Sequence, residues 1–283
     1  MHPIILVHGI ANPNSLGWFI RRWNIPLLGS VETFQYFKGI AAHLERNGFE
    51  NILAPNIGFA TSSADRAATL KTAVEGHRQR TGAEKVHLIA HSMGGLDSRR
   101  MIVDLGMADK VASLTTIGTP HLGTVLADRI INNAGGEELI LAAGKFLDFD
   151  LRGGRDLRET ECAEMNLRLA NAEAKNNVYY QTYSSYPAEN MLFGPFLLTY
   201  LFIRGSRPGE TVENDALVPV DSQKWATHVT AEDGTRKDIV QKEFPFRADH
   251  LNEIGWWIKD PNHESTDKVK AVYLEIAQSV QNP

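Results

Sequence analysis

Thiols are almost absent from this sequence. Cys162 is the only cysteine in 283 residues, which excludes an internal disulfide and a thiol-rich metal cluster. A buried, inert thiol is its expected state. Long apolar runs are missing too: the greasiest stretch, MLFGPFLLTYLFI at 191–203, is too short to cross a bilayer as a helix, so no integral membrane segment is expected. There is no like-charge block, repeat or low-complexity tract, and a net charge of −5 argues against nucleic-acid binding. In MHPIILVHG no basic region precedes the apolar run and no small-residue cleavage site follows it. An export signal is therefore not legible, and a cytoplasmic location is favoured.

What remains is an ordinary globular composition, 43% hydrophobic and 22% charged, with enough chain for a large core. Residues 3–7, 51–56, 85–90 and 111–117 read as strands. Helical spacing fills 40–48, 64–80 (with Ser62 or Ser63 as N-cap) and about 94–105 between them. Strict alternation implies parallel strands joined by crossover helices, an α/β fold. The second half is less regular. Residues 123–170 look mainly helical, a strand follows near 177–184, and Asp233-Gly234 marks a hairpin. A final helix carries Val269, Val272, Tyr273, Ile276 and Val280 in one stripe, with Ser265 or Thr266 placed to cap it. No linker divides the chain, so 123–205 is expected to be a cap or lid inserted in a single domain.

KVHLIAHSMGG at 85–95 sets Ser92 between a strand and a helix, with small residues, Ala90 and Gly94, two places away on each side. That is the pattern of a nucleophile elbow, whose strained central residue stands clear of the sheet at a helix N-terminus. An N-cap serine would occupy the same place, so the rest of the chain has to discriminate. In α/β-hydrolases the acid and the histidine follow the serine in that order. Asp215 in ENDALVPVDS and His250 in RADHLNEIG satisfy the order. Asp221 is a rival acid that would otherwise cap a helix starting at Ser222. His43, His77, His228 and His263 read as surface residues. His2, His87, His91 and His121 come too early for the triad position. His8 ends the first strand in LVHGI, where the following loop supplies an oxyanion N–H. Ile10 and Met93 are then the expected backbone donors, and His8 the residue that orders the loop.

PIILVHGIA, FQYFKGIAAHLERNG, KVHLIAHSMGGLDSR, VASLTTIGTPHLGT, NDALVP and DHLNEI, in that order, resemble the bacterial true lipases, the triacylglycerol lipases of the pseudomonad type. The resemblance is dense over 3–124, fades through 125–205 and returns at the two short segments. It implies an α/β-hydrolase fold, a Ser92–Asp215–His250 triad, Ile10 and Met93 as oxyanion donors, and secretion. It also implies a structural calcium at the histidine loop, one ligand being an aspartate two residues after the histidine. That position here is Asn252, a neutral oxygen donor, with Asp260 the nearest acid downstream. The segment after Gly9 is longer than the family's and carries Trp18, Phe19 and Trp23, and the hairpin lies between Asp215 and His250.

The chemistry these residues suit is ester hydrolysis through an acyl-serine, with lipid esters as substrates, contact with a lipid–water interface, and no cofactor for the reaction. LILAAGKFL at 139–147 and the apolar 191–203 stretch suit an acyl pocket, a lid or plain cap packing. A short-chain esterase, thioesterase or polyester depolymerase would share the triad. A non-catalytic binding relative would usually have lost one of its members.

Overall fold

Ile4–Val7 and Val86–His91 form β1 and β2 with every residue buried, the unbroken apolar character of strands covered on both faces. They belong to a computed structural model that describes residues 1–10, 36–58, 61–132, 151–188, 192, 194–257 and 263–281. β3 is Val111–Ile117 and β4 Tyr179–Ser184; β5 (His228–Thr230) and β6 (Arg236–Asp238) form a hairpin, and β7 is Val240–Glu243. The main sheet runs β1-β2-β3-β4-β7 with every pairing parallel. Parallel neighbours require crossovers, and the helices supply them.

The helices are α1 (Ile40–Arg46), α2 (Ser63–Thr81), α3 (Met93–Val103), α4 (Val125–Ile131), α5 (Leu151–Arg155), α6 (Glu159–Lys175), α7 (Gly194–Arg204), α8 (Val220–Lys224) and α9 (Glu264–Gln281). Ser62 caps α2 by accepting from Asp65 N at 3.2 Å, and Gly82 closes it at φ 68. The apolar stripe of α9 packs with α1, Ile4, Leu6 and Ile89 on one face of the sheet. The other face is packed by Leu70 and Val74 of α2 and by Met101 and Ile102 of α3. A third cluster, built from α4, α6, α7 and the 212–218 loop, includes Ile10 and Met93 beyond the strand ends.

Several expectations are corrected. β4 lies inside 123–205 yet pairs with β3 and β7, so that range is not one inserted cap; its helical parts flank a sheet strand. Residues 51–56 contribute only a bridge from Leu53 to Ile5, because Pro55 has no N–H to extend a ladder. Ser265 and Thr266 fall inside α9 rather than capping it. The helical spacing of LNEIGW, after His250, yields only a 3-10 turn, Asn252–Ile254, ended by Gly255 at φ 88. His77 is buried and bonded to the Asn51 carbonyl at 2.7 Å, not a surface residue. Residues 139–147, the Trp18–Trp23 segment and Asp260 lie outside the described residues.

Candidate active site

β2 runs into α3 with no intervening loop, and the residue at the corner is Ser92, held at φ 56 and ψ −136. A serine at positive φ is strained, and no side-chain cap bond offsets the strain. An N-cap serine would adopt extended backbone and accept from the helix, so Ser92 is not a cap. The corner closes only because its neighbours are small. A Cβ on Gly94 would sit 2.7 Å from the Val7 and His8 carbonyl oxygens, and one on Gly9 would sit 2.7 Å from Ser92 Cβ. Thr119, after β3, donates to the Ser92 carbonyl at 2.8 Å and fixes the turn from the other side.

Met93 opens α3, so its N–H has no partner within the helix. Ile10 follows β1 on the loop facing that corner. His8 uses both ring nitrogens on this loop: Nδ1–H donates to Gly9 O at 2.7 Å, and Nε2 accepts from Ile57 N at 3.0 Å. Gly9 O belongs to the peptide whose N–H is that of Ile10, so His8 sets the plane of the expected oxyanion donor. Burial and the Arg66 guanidinium push His8 down to about 3, which keeps it neutral. Arg66, fully buried on α2, donates to His8 O at 2.7 Å and to Asp97 Oδ2 at 2.7 Å, tying the loop to α3. Burial raises Asp97 to about 6, with the Arg66 guanidinium opposing the rise.

Asp215 sits in a tight turn pinned by the Asn214–Pro219 bridge, with Ala216 at φ 85. The Asp215 carboxylate is fully buried. Oδ1 accepts from Leu217 N at 2.9 Å and Val218 N at 2.7 Å, which leaves Oδ2 to accept from His250 Nδ1 at 2.8 Å. With Nδ1 donating, His250 Nε2 presents a lone pair. A backbone bond from His250 N to Asp215 O at 2.9 Å couples the two loops again. Asp221 lies elsewhere, at the surface of α8, paired with Arg207 at 2.7 Å.

Behind this pair is a second buried network that sequence reasoning missed. Tyr36 OH donates to His91 Nδ1 at 2.7 Å, and His91 Nε2 donates to Glu253 Oε2 at 3.0 Å. Glu253 Oε1 lies 2.6 Å from Ser185 Oγ, and Oε2 lies 3.8 Å from His250 Nδ1. Gly118 leaves room for it, since a Cβ there would meet Oε2. Burial and the Asp215 charge push the Glu253 carboxyl well above its ordinary value, and burial holds His91 well below its own. Only one signal pointed here, the glutamate of DHLNEI. The tyrosine, Arg66 and Asp97 become neighbours only through folding.

Among the described residues, His91, His250 and Glu253 bring one metal-ligating atom each within 4.8 Å of one another. Those atoms are already bonded among themselves or to Asp215, which makes the group a hydrogen-bond cluster. Of the two ligands expected for a calcium at the histidine loop, Asp260 lies outside the described residues, and Asn252 is engaged within the loop. Asn252 Oδ1 accepts from Asp249 N at 3.0 Å, and its Nδ2 donates to Trp256 O at 2.8 Å. Asp249 Oδ1 is taken by two backbone N–H groups, so these side-chain atoms of the described loop are committed to the loop itself.

Ser92, His250 and Ile10 share one cavity with Pro120, Thr124, Leu126, Ala127, Leu157, Leu217 and Val218, an apolar chamber of about 30 Å³. Serine, imidazole and an apolar wall therefore converge at the carboxyl ends of the strands, where open α/β sheets place their ligands.

A family model described as alpha/beta hydrolase fold matches residues 2–211. The triacylglycerol lipase of Pseudarthrobacter phenanthrenivorans is 36% identical over 129 residues, covering 45% of this chain and 35% of that protein. The triacylglycerol lipase of Burkholderia plantarii is 36% identical over 129 residues, covering 45% of this chain and 32% of its own. The chain thus spans about a third of the length of these curated relatives. Among solved structures, a mature Bacillus licheniformis lipase is similar with a TM-score of 0.66 at 17% identity, over 99% of this chain and 91% of that one. That likeness is one of fold.

Proposed function

The chain belongs to the alpha/beta hydrolase fold family, and from that premise we propose that it hydrolyses lipid carboxylic esters through an acyl-serine on Ser92. The observation that carries the reading is the shared chamber. A serine at positive φ and a histidine whose Nδ1 is held by a buried carboxylate at 2.8 Å open onto one apolar cavity.

In this mechanism Ser92 Oγ attacks the ester carbonyl while His250 Nε2 takes its proton. The carbonyl electron pair moves onto oxygen, and the Ile10 and Met93 N–H groups receive it. Collapse expels the alcohol, which takes the proton from His250, and leaves the acyl-serine. Water then repeats the sequence and frees the acid. Asp215 keeps His250 in the tautomer with a basic Nε2 and stabilises the imidazolium.

Lipid esters are favoured by the apolar lining, by the triacylglycerol lipases among the relatives, and by Leu197, Leu198 and Leu201 of α7, which are 40–49% exposed and suit contact with a lipid–water interface. The triad itself does not read acyl length, so an esterase for short acyl chains on the same frame is the second reading. Hydrolysis of p-nitrophenyl esters from two to sixteen acyl carbons, wild type beside Ser92→Ala, tests both. Loss in the variant with a long-chain maximum supports a lipase. A two- to four-carbon maximum selects the esterase, and activity surviving in Ser92→Ala overturns the mechanism.

A further inference from the structure

The loop that carries His250 is closed by its own side chains. Asp249 Oδ1 accepts from Leu251 N at 3.0 Å and Asn252 N at 2.9 Å, while Asn252 Oδ1 accepts from Asp249 N at 3.0 Å. Each side chain satisfies the other's backbone N–H three residues away, the reciprocal pattern of a capping box. The box spans Asp249–Asn252 and leads into the 3-10 turn at Asn252, so His250 is the residue directly after its first member. Asn252 Nδ2 then donates to Trp256 O at 2.8 Å, Trp256 N donates to Leu251 O at 3.1 Å, and Trp256 Nε1 donates to Tyr36 O at 3.1 Å. Both residues of the box are at most 4% exposed, so water does not compete for these bonds.

We propose that Asp249 and Asn252 are positioning residues that hold His250 against Asp215 by this reciprocal box, in place of a bound cation. An aspartate at 252 would accept the same N–H but could not donate to Trp256 O. The amide performs both tasks, and the loop reaches closure without an ion to neutralise. The role assigned to His250 rests on the function proposed above; the closure of the loop does not.

The test uses the full chain, stripped with EDTA and then given calcium chloride. The expected result is an unchanged thermal midpoint on stripping, no binding heat at the loop in calorimetry, and unchanged kcat. Asn252→Ala and Asp249→Ala lower kcat about tenfold or more with KM within about twofold, because His250 is displaced while the chamber is not. Asp249→Asn, whose amide oxygen can accept the same two N–H groups, recovers most of the kcat lost in Asp249→Ala. Calcium binding that persists in Asn252→Ala lies elsewhere and leaves the proposal standing. A stripped wild type whose midpoint falls and is restored by calcium, with that response lost in Asn252→Ala, overturns it, as does an unchanged kcat in both alanine variants. Where those variants fail to fold, stripping the wild type still decides. Midpoint and calorimetry need no substrate, so a chain inactive on every ester would defeat the functional reading and leave the loop to be judged on those two readouts.

Discussion

The imidazole rings of His91 and His250 lie 4.5 Å apart, one beside the nucleophile in sequence and the other facing Asp215. Two imidazolium ions at that distance would repel, and the proposed mechanism charges His250. His91 is therefore kept neutral: Tyr36 OH donates to Nδ1, and Nε2–H donates to Glu253. Glutamine at 253 can still accept from His91 through its oxygen, and its amide would lie beside Ser185 Oγ, whose proton can turn from Oε1 to the Ala248 carbonyl 3.0 Å away. Glu253→Gln is expected to lose far less activity than Glu253→Ala. Alanine leaves a buried N–H unpaired, a cost of about 1–3 kcal/mol in stability. Denaturant titration and kcat/KM of the two variants check this.

Gly94→Ala is expected to be severe. The added methyl meets two backbone carbonyl oxygens at 2.7 Å, and backbone cannot swing aside as a side chain can. Overpacking of this kind costs about 1–3 kcal/mol and shifts the elbow. A lower thermal midpoint together with loss of ester hydrolysis is the expected pair of results.

His8→Ala removes both the acceptor for Ile57 N and the donor that orients the Gly9–Ile10 peptide. A kcat loss of about tenfold to a hundredfold with little change in KM is expected, less than the loss of a whole oxyanion donor. His8 is held down near 3, so the variant should keep the pH profile of the wild type above that value. A lost ionisation near neutrality in the steady-state profile would show that His8 exchanges protons.

Asp249 is buried, and its carboxyl is pushed up from 3.8 to about 7, chiefly by desolvation. Between those values the folded chain holds a proton that the unfolded chain has released. This contribution to stability is full below about pH 4 and is lost as pH rises through about 7. Asp249→Asn removes that decline while keeping an oxygen acceptor. Thermal midpoints from pH 4 to 8 for both proteins measure it, and parallel curves would contradict the assignment.

Much of the sheet is legible in the sequence because its strands are buried on both faces: 111–117 reads as a strand to the residue, and β2 within one residue at each end. Local pattern also exposes the elbow, since the Ala90–Gly94 spacing answers to a close approach of backbone. The segment between Asp215 and His250 is less transparent. It looks like an inserted hairpin, yet it also contains β7, an edge strand whose residues are mostly exposed and give no apolar run. Glu253, Tyr36, Arg66 and Asp97 are hidden for a different reason. A buried charge is recognised by its partner, and these partners lie at separations that no local pattern encodes: Arg66 of α2 meets Asp97 of α3, and Glu253 of the 3-10 turn meets His91 at the end of β2.

Covalent trapping decides whether Ser92 is the nucleophile. The full chain is incubated with a p-nitrophenyl alkylphosphonate, digested, and its peptides are weighed. A single phosphonyl adduct on Ser92 is expected, absent from Ser92→Ala and slowed in His250→Ala, where the base that activates the hydroxyl is gone. An adduct on another residue, or an unmodified Ser92 in a chain that still hydrolyses esters, would contradict it.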